Sequence, residues 1–260
     1  MIKELTWDSV FFGRKMGEFT AGSHSPSSLK RALDKAKEDG YRYLRCKLKF
    51  QDTPLIKLLE SFGFYLTDIG VTLETKNRNF GNSPLEKGDR GGCKAPRVEK
   101  ADEQPPAPPL LRGNSSVKAA IIKDIPELKR IGRSLFPESR FYSDPFFSKA
   151  MADGLYEAWI ENSVKGQAAD IVFWIPKAGF VTCRRSGKNS GEIVLIGVKK
   201  NAKGKGVGSE LVGETMKWFE EQQIKIVTVR TQLKNVKALN FYIKLGFLPK
   251  EYDIILGKIL

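Results

Sequence analysis

An apolar strand pattern that runs directly into a basic, glycine-rich turn constrains this chain more than any other feature. Ile193-Val-Leu-Ile-Gly-Val198 is a continuous run rich in β-branched residues, the pattern of a strand covered on both faces. Lys203-Gly-Lys-Gly-Val-Gly208 follows, and Val207, Leu211, Val212, Met216 and Phe219 then recur at helical spacing. A strand feeding a glycine turn that opens a helix suits an anionic ligand. The first N–H groups of a helix lack intrahelical partners, the helix dipole is positive there, and glycine lets an anion approach the backbone. Lys203 and Lys205 add positive charge. The segment is expected to bind a phosphate-bearing ligand.

Spacing narrows that ligand. A Walker loop requires Gly-x-x-x-x-Gly-Lys followed by Ser or Thr, which is absent. A dinucleotide fingerprint requires Gly-x-Gly-x-x-Gly with an acidic residue about 20 positions on. The glycines here fit it poorly, although Glu220 and Glu221 stand downstream. Lys203-x-x-Gly206-x-Gly208 instead matches Arg/Gln-x-x-Gly-x-Gly in all but its first residue. Further along, Ile224-Lys-Ile-Val-Thr-Val-Arg230 reads as a short strand. Asn235 reads as a helix N-cap and Gly246 as the residue past the helix end, with Ala238, Phe241, Tyr242 and Leu245 on one face between them.

This order, closed by Asn235-x-x-Ala238-x-x-Phe241-Tyr242-x-Lys244-Leu245-Gly246-Phe247, resembles the GCN5-related N-acetyltransferase superfamily over residues 117–260. The resemblance implies an α/β (α+β) fold, a mixed and mostly antiparallel central sheet flanked by helices. It also implies acyl transfer from acetyl-CoA to an amine, without a metal. In that family the strand before the turn opens and pairs with the pantetheine arm, here Leu195, Ile196, Gly197 and Val198, with Gly197 easing a bulge. A backbone N–H on the same strand is expected to reach the thioester oxygen as a fixed dipole. Lys203, Gly204, Lys205, Gly206, Val207, Gly208 and Ser209 would surround the diphosphate, and Asn235 and Ala238 would lie beside the CoA arm. For Asn235, pure helix capping stays open. Tyr242 is expected to protonate the departing thiolate, because a phenol keeps its proton at neutral pH; a packed core tyrosine is the plainer reading. Asp68, which follows Gly63-Phe64 where the family places its acidic residue, is the expected base, and Asp8 is the second candidate. Two residues depart from the family pattern: Asp68 stands for Glu, and Lys203 for Arg or Gln.

Two further segments sharpen the likeness. Ser139-Arg-Phe-Tyr142 with Trp159-Ile-Glu161-Asn162-Ser, and Leu5-Thr-Trp7-Asp8-Ser-Val-Phe11-Phe12-Gly13, are similar to the dTDP-fucosamine acetyltransferase family. That resemblance covers the chain except residues 76–116. It implies acetylation of the 4-amino group of a dTDP-4-amino-4,6-dideoxyhexose for polysaccharide precursors, with Asp8, Phe11, Tyr142 and Trp159 near the acceptor. The plainer alternative makes Tyr156, Trp159 and Ile160 a helix core stripe, and one residue can serve both ends.

Residues 76–116 carry Pro, Gly and charge with hardly any apolar pattern, and read as a linker. They divide a small α/β unit, residues 1–75, from residues 117–260. The first unit holds an echo of the second. Leu58-Leu-Glu-Ser-Phe-Gly63-Phe64, with Leu73 nine residues on, parallels Phe241-Tyr-Ile-Lys-Leu-Gly246-Phe247, with Leu256 nine residues on. The first copy lacks the glycine turn and carries Leu where Tyr242 stands, so it reads as a truncated acetyltransferase-like half, with chance similarity of one helix–Gly–strand unit as the alternative. In residues 117–260, helices are expected over 125–136 and 146–164, and a hairpin around Pro176-Lys-Ala178.

Composition bounds the rest. Hydrophobic content of 41% is that of a soluble protein, and no stretch has the length and apolarity of a membrane span, so a cytoplasmic, non-membrane protein is expected. Cys46, Cys93 and Cys183 are odd in number and widely spaced, which argues against a disulfide framework and a zinc site. His24, the single histidine, lies in a serine-rich loop and is read as a surface residue. A net charge of +14 suits polyphosphate substrates, and nucleic acid is not expected because the basic residues are scattered and no binding motif accompanies them. Transfer to another amine and a non-catalytic CoA or nucleic-acid module stay open as alternatives, as does a homodimer.

Overall fold

The computed structural model describes residues 2–20, 25–77, 116–133 and 135–260; His24 and most of the 76–116 linker lie outside the described residues. The first half runs β1 (Ile2–Glu4), α1 (Thr6–Phe12), β2 (Met16–Phe19), α2 (Pro26–Glu38), β3 (Tyr43–Lys49), α3 (Thr53–Ser61) and β4 (Tyr65–Lys76). The second half runs β5 (Lys118–Ala119), α4 (Ile125–Gly132), α5 (Arg140–Ser143), α6 (Lys149–Val164), β6 (Ile171–Ile175), β7 (Gly179–Arg185) and β8 (Ser190–Val198). It continues through α7 (Val207–Glu221), β9 (Ile226–Gln232), α8 (Val236–Lys244) and β10 (Leu248–Ile259). The ten strands of the described residues join one sheet, in the order β1-β2-β3-β10-β4-β9-β8-β7-β6-β5. Only β2–β3 and β8–β9 are parallel, so the sheet is mixed and mostly antiparallel, as the sequence implies.

Local chemistry sets the element ends. Ser25 accepts from the Ser28 N–H at 3.2 Å, Pro26 opens α2, and Leu29, Leu33 and Ala36 form its buried stripe. Two expected helices are shorter in the structure. Ser148 caps α6 through the Met151 N–H, which frees Phe146 and Phe147 to pack on Tyr43. At the end of α4, a Cβ on Gly132 would lie 2.1 Å from Ile160 Cδ1, so the helix ends on a residue that lets α6 come close. Leu135 and Phe136 leave it and pack against the sheet.

The echo in the sequence is a structural equivalence. Gly63 and Gly246 both have left-handed backbones, with φ of 80° and 89°. The Phe64 N–H donates to the Leu59 carbonyl at 3.1 Å, and the Phe247 N–H to the Tyr242 carbonyl at 3.0 Å. The numbering offset that carries Leu59 onto Tyr242 also carries the ladder onto itself. Val71 pairs with Tyr252, and its image is the Ile254–Ile69 pair. Val71 pairs with Thr231, and its image is Ile254–Leu48; Leu73–Val229 maps onto Leu256–Cys46. A pseudo-twofold axis therefore lies between β4 and β10. Each half's last strand sits against the other half: β4 between β10 and β9, β10 between β3 and β4.

Four side-chain clusters hold this arrangement. Leu29, Leu33, Leu59 and Phe64 fill one face of the first half. Leu211, Val212, Phe219 and Phe247 lie under α7 and α8, and Leu128, Ile131, Ile160 and Phe180 under α4 and α6. Tyr43, Met16, Phe146 and Phe147 bind the halves together, with Phe12 and Phe141 at the border.

One buried charge marks the seam. Asp253 is fully buried, and receives Arg230 at 2.5 Å, Lys47 at 3.0 Å and Lys49 at 3.1 Å. Burial pushes its pKa up, but Lys47, Arg230 and Lys49 outweigh that and hold it at about 2. The position equivalent to Asp253 is Gly70, where a Cβ would fall 2.0 Å from an Arg230 Nη2. Arg230 crosses the sheet over that glycine to reach its partner. Because the folded pKa is depressed, this stabilisation is complete above the ordinary Asp value and is lost as pH falls toward about 2. Asp253→Asn is expected to cost about 1–3 kcal/mol at pH 7, since it removes the charge that three partly exposed cations face. Urea unfolding should show the gap to wild type narrowing from about pH 4 down to about 2, as the unfolded chain takes up a proton that the native carboxylate still resists.

Candidate active site

The site begins where two parallel strands part. β8 pairs with β7 along its length to Val198, but with β9 only as far as Ile193–Val229. Residues 194–198 therefore have an unpaired edge. A bulge accompanies the parting: Thr182 faces Leu195 and Cys183 faces Ile193, so Val194 is the extra residue. The bulge thus falls at Val194, not at Gly197. Gly197 instead lets the chain after α4 lie against β8, since a Cβ there would be 2.8 Å from Leu135 Cδ1 and 3.2 Å from the Phe180 ring. The Leu195 N–H donates to Thr182 Oγ1 at 3.1 Å, toward β7. Alternation along the strand then turns the Ile196 N–H toward the opening.

The glycine turn closes one end of this opening. Gly204 and Gly206 have φ of 77° and 82°, and nothing lies within 4 Å of a Cβ built on either. Backbone conformation, not crowding, calls for glycine at both. Gly208 differs: a Cβ there would lie 3.2 Å from the Phe241 ring of α8. No side chain caps α7, so its first N–H groups face outward unclaimed by side chains. Asn235 caps α8 by accepting from the Ala238 N–H at 3.2 Å while lining the same space.

A cavity of about 1350 Å³ runs from this turn, through the parted strands, to the surface of the first half. It brings together most of the sequence candidates: Leu195, Ile196, Gly197, Val198, Lys203, Gly204, Gly206, Gly208, Ser209, Asn235, Ala238 and Tyr242, with Asp8, Asp68 and Trp159. Lys205, Val207, Phe11 and Tyr142 do not line it. Lys205 is exposed and Val207 packs against the core under α7. Phe11 packs over Gly154 and stacks on Trp7 at 5.0 Å. The Tyr142 hydroxyl donates to Asp153 at 2.7 Å, and its ring lies parallel to Tyr156 at 6.0 Å. The walls also include Trp7, Arg45, Arg140 and Arg230, none of them singled out in the sequence. Trp7 and Arg140 lay inside quoted motifs; which of their residues would face the cavity was not legible.

Two titratable groups stand out. Tyr242 is buried, its ring lies 5.2 Å from Phe241 and 5.6 Å from Phe247, and its hydroxyl makes no hydrogen bond among the described residues. Burial raises the phenol pKa further, with a smaller push from Cys183, so it stays protonated at neutral pH. Asp68, on β4, is also buried, and burial raises its carboxyl pKa against the pull of Lys234, the Ile69 N–H, Arg140 and Arg230. A raised carboxylate in a cavity is suited to accept a proton.

Residues 138–247 match the Acetyltransferase (GNAT) family. The chain carries a GNAT acetyltransferase domain. It is 24% identical over 250 residues to the dTDP-fucosamine acetyltransferase of Escherichia coli O6:H1, covering 94% of this chain and 92% of that relative. It is 27% identical over 141 residues to the spore coat polysaccharide biosynthesis protein SpsD of Bacillus subtilis, covering 52% of this chain and about half of that relative (49%). In fold it is similar to the GCN5-related N-acetyltransferase from Sphaerobacter thermophilus, with a TM-score of 0.56 at 12% identity, over 94% of this chain and 73% of that one. The domain is that of an acyl-CoA-dependent N-acetyltransferase, with acetyl-CoA as co-substrate. The unpaired edge of β8 and the uncapped turn of α7 fit the pantetheine and the diphosphate of that molecule. No helix among the described residues is long and apolar enough to cross a membrane.

The raised Asp68 pKa has a consequence for stability and one for rate. A buried carboxylate whose folded pKa is raised opposes folding at neutral pH, and that penalty shrinks as pH falls through the raised value and is gone below the ordinary Asp pKa. Asp68→Asn is therefore expected to be at least as stable as wild type at pH 7 by thermal unfolding. Its kcat/KM for the amine should nevertheless fall about 10²- to 10⁴-fold, with loss of an acid limb centred above the ordinary Asp pKa.

Proposed function

We propose that the protein moves the acetyl group of acetyl-CoA directly onto the amino group of a nucleotide-linked amino sugar, of the dTDP-4-amino-4,6-dideoxyhexose type. One observation carries this reading: the cavity does not end at the acyl-CoA groove but continues onto aromatic and charged residues of the first half, Trp7, Asp8, Arg45 and Asp68. Likeness to a dTDP-fucosamine acetyltransferase over 94% of the chain, first half included, supports it. Both substrates are cytoplasmic metabolites, so a cytoplasmic site of action goes with the reading. The first half is then a degenerate copy of the domain. It carries Leu59 where Tyr242 stands, and it serves the acceptor instead of a second acyl-CoA.

The chemistry divides among named groups. The first-turn N–H groups of α7, with Lys203, hold the diphosphate. The open edge of residues 194–198 pairs with the pantetheine arm and leaves the thioester beside the Ile196 N–H, a fixed donor for the oxyanion. Arg140, Arg230 and Lys234 all act on the space around Asp68. Positive charge there disfavours the ammonium form of the acceptor and helps release the neutral amine that attacks. Asp68 takes the amine proton through a water. As the C–S bond breaks, the Tyr242 hydroxyl, which has no other partner among the described residues, gives its proton to the thiolate.

Incubation with acetyl-CoA and dTDP-4-amino-4,6-dideoxygalactose should release one CoA thiol per acetylated sugar. A panel of polyamines, aminoglycosides and peptide N-termini should turn over poorly; preference for any of these over the nucleotide sugar would replace the acceptor assignment. Tyr242→Phe is expected to lower kcat about 10²-fold or more with CoA affinity by calorimetry unchanged. A full-speed Tyr242→Phe enzyme would remove the phenol from the reaction.

A further inference from the structure

The cavity wall holds a buried cation with which no carboxylate among the described residues pairs directly. Arg140 is only 7% exposed, yet it lines the cavity. Its guanidinium lies over the Phe141 ring at 4.2 Å and near that of Phe147 at 5.7 Å. Its Nη1 has no hydrogen-bond partner, and no carboxylate among the described residues stands within ion-pair distance of it.

The nearby acids are spoken for. Asp144 accepts from the Tyr43 hydroxyl at 2.5 Å, the Tyr65 hydroxyl at 2.8 Å and the Phe146 N–H at 3.0 Å. Glu18 is bonded to Arg45, which also lines the cavity. Asp8 and Asp144 reach Arg140 only through their fields. A buried guanidinium left in this condition is costly, and a planar fork of donors matches a phosphate or carboxylate. We infer that Arg140, with Arg45 beside it, anchors the phosphate groups of the acceptor, and that the ligand class at this end of the cavity is a pyrophosphate ester.

The inference rests on the acceptor reading proposed above and gives it a residue. Arg140 acts electrostatically on Asp68, so anchor and base share one stretch of the cleft. An acceptor with an amine at one side of a sugar ring and a phosphate at the other spans that stretch. Trp7, 48% exposed and backed by the Phe11 ring, offers a free face next to it for the nucleobase. Arg45 is shared with Glu18, but its remaining donors extend the fork of Arg140, and such a row of donors suits the several oxygens of a diphosphate better than a lone carboxylate.

Calorimetry on the full chain saturated with CoA, so that the diphosphate site of the cofactor is filled, tests the assignment with dTDP as probe and acetate as the carboxylate control. Wild type should bind dTDP and not acetate. Arg140→Gln should weaken dTDP at least tenfold, Arg45→Gln several-fold, and Arg140→Lys should recover part of the loss, all with unchanged CoA affinity. No dTDP binding by wild type, or dTDP affinity unaltered in both Arg45→Gln and Arg140→Lys, overturns the inference even where Arg140→Gln fails to fold. Acetate binding as tight as dTDP overturns the pyrophosphate class. With the amino sugar, Arg140→Lys should raise KM more than it lowers kcat, and the loss relative to wild type should be smaller for a phosphate-free glycoside of the same sugar. Loss of dTDP binding in the variants, in an enzyme that acetylates no nucleotide sugar, would support the anchor and sink the acceptor reading separately.

Discussion

The exchange of final strands between the two halves underlies everything else in this molecule. β4 leaves its own half to lie on β9, and β10 leaves its own half to lie on β3. Neither half therefore completes its sheet alone. The ladder Val71–Tyr252 and Ile69–Ile254 at the centre supplies backbone hydrogen bonds to both. Asp253, Arg230, Lys47 and Lys49 fix side chains from both halves to the same place. A buried charge of this kind is a poor source of net stability, but it penalises any register in which its cations fall elsewhere.

From that seam the reactive geometry follows. β9 is held on one edge by β4 and on the other by β8, and β8 departs from it at Ile193 because the bulge at Val194 redirects the strand. The parted strands open a groove with backbone donors already oriented, the place proposed for acyl-CoA. The same exchange delivers Asp68, which rides on β4, to the far side of that groove. The surfaces proposed for cofactor and acceptor are thus adjacent because the strands of the two halves are interleaved, with no long loop needed to bring them together.

Much of this was legible in the sequence, and for physical reasons. The β8–turn–α7 unit announces itself through apolar periodicity and through glycines that the backbone requires at 204 and 206. The Gly63-Phe64 and Gly246-Phe247 pairs mark helix ends that fold by the same hydrogen bonds. What was not legible is non-local. β1 and β2 span three and four residues, too short for a period to register, and α1 begins without a side-chain cap. The pairing of β4 with β9 depends on residues far apart along the chain. Likewise Phe11 and Trp7 sit in one motif, and only packing against Gly154 decides that the tryptophan faces the cavity. Arg140 reads locally as an ordinary basic residue, since its isolation is a property of what Tyr43 and Tyr65 do to Asp144.

The pseudo-twofold axis also limits how such a chain can drift. Ile69, Val71, Tyr252 and Ile254 each touch their own counterpart's neighbour, so one residue changed on either side of the axis alters the surroundings of its image. The duplicated halves are free to diverge at their outer ends, where Leu59 has already parted from Tyr242 in chemistry, but not at the centre. Replacements there must arrive as compensating couples, and the symmetry persists in the ladder where it has faded from the letters.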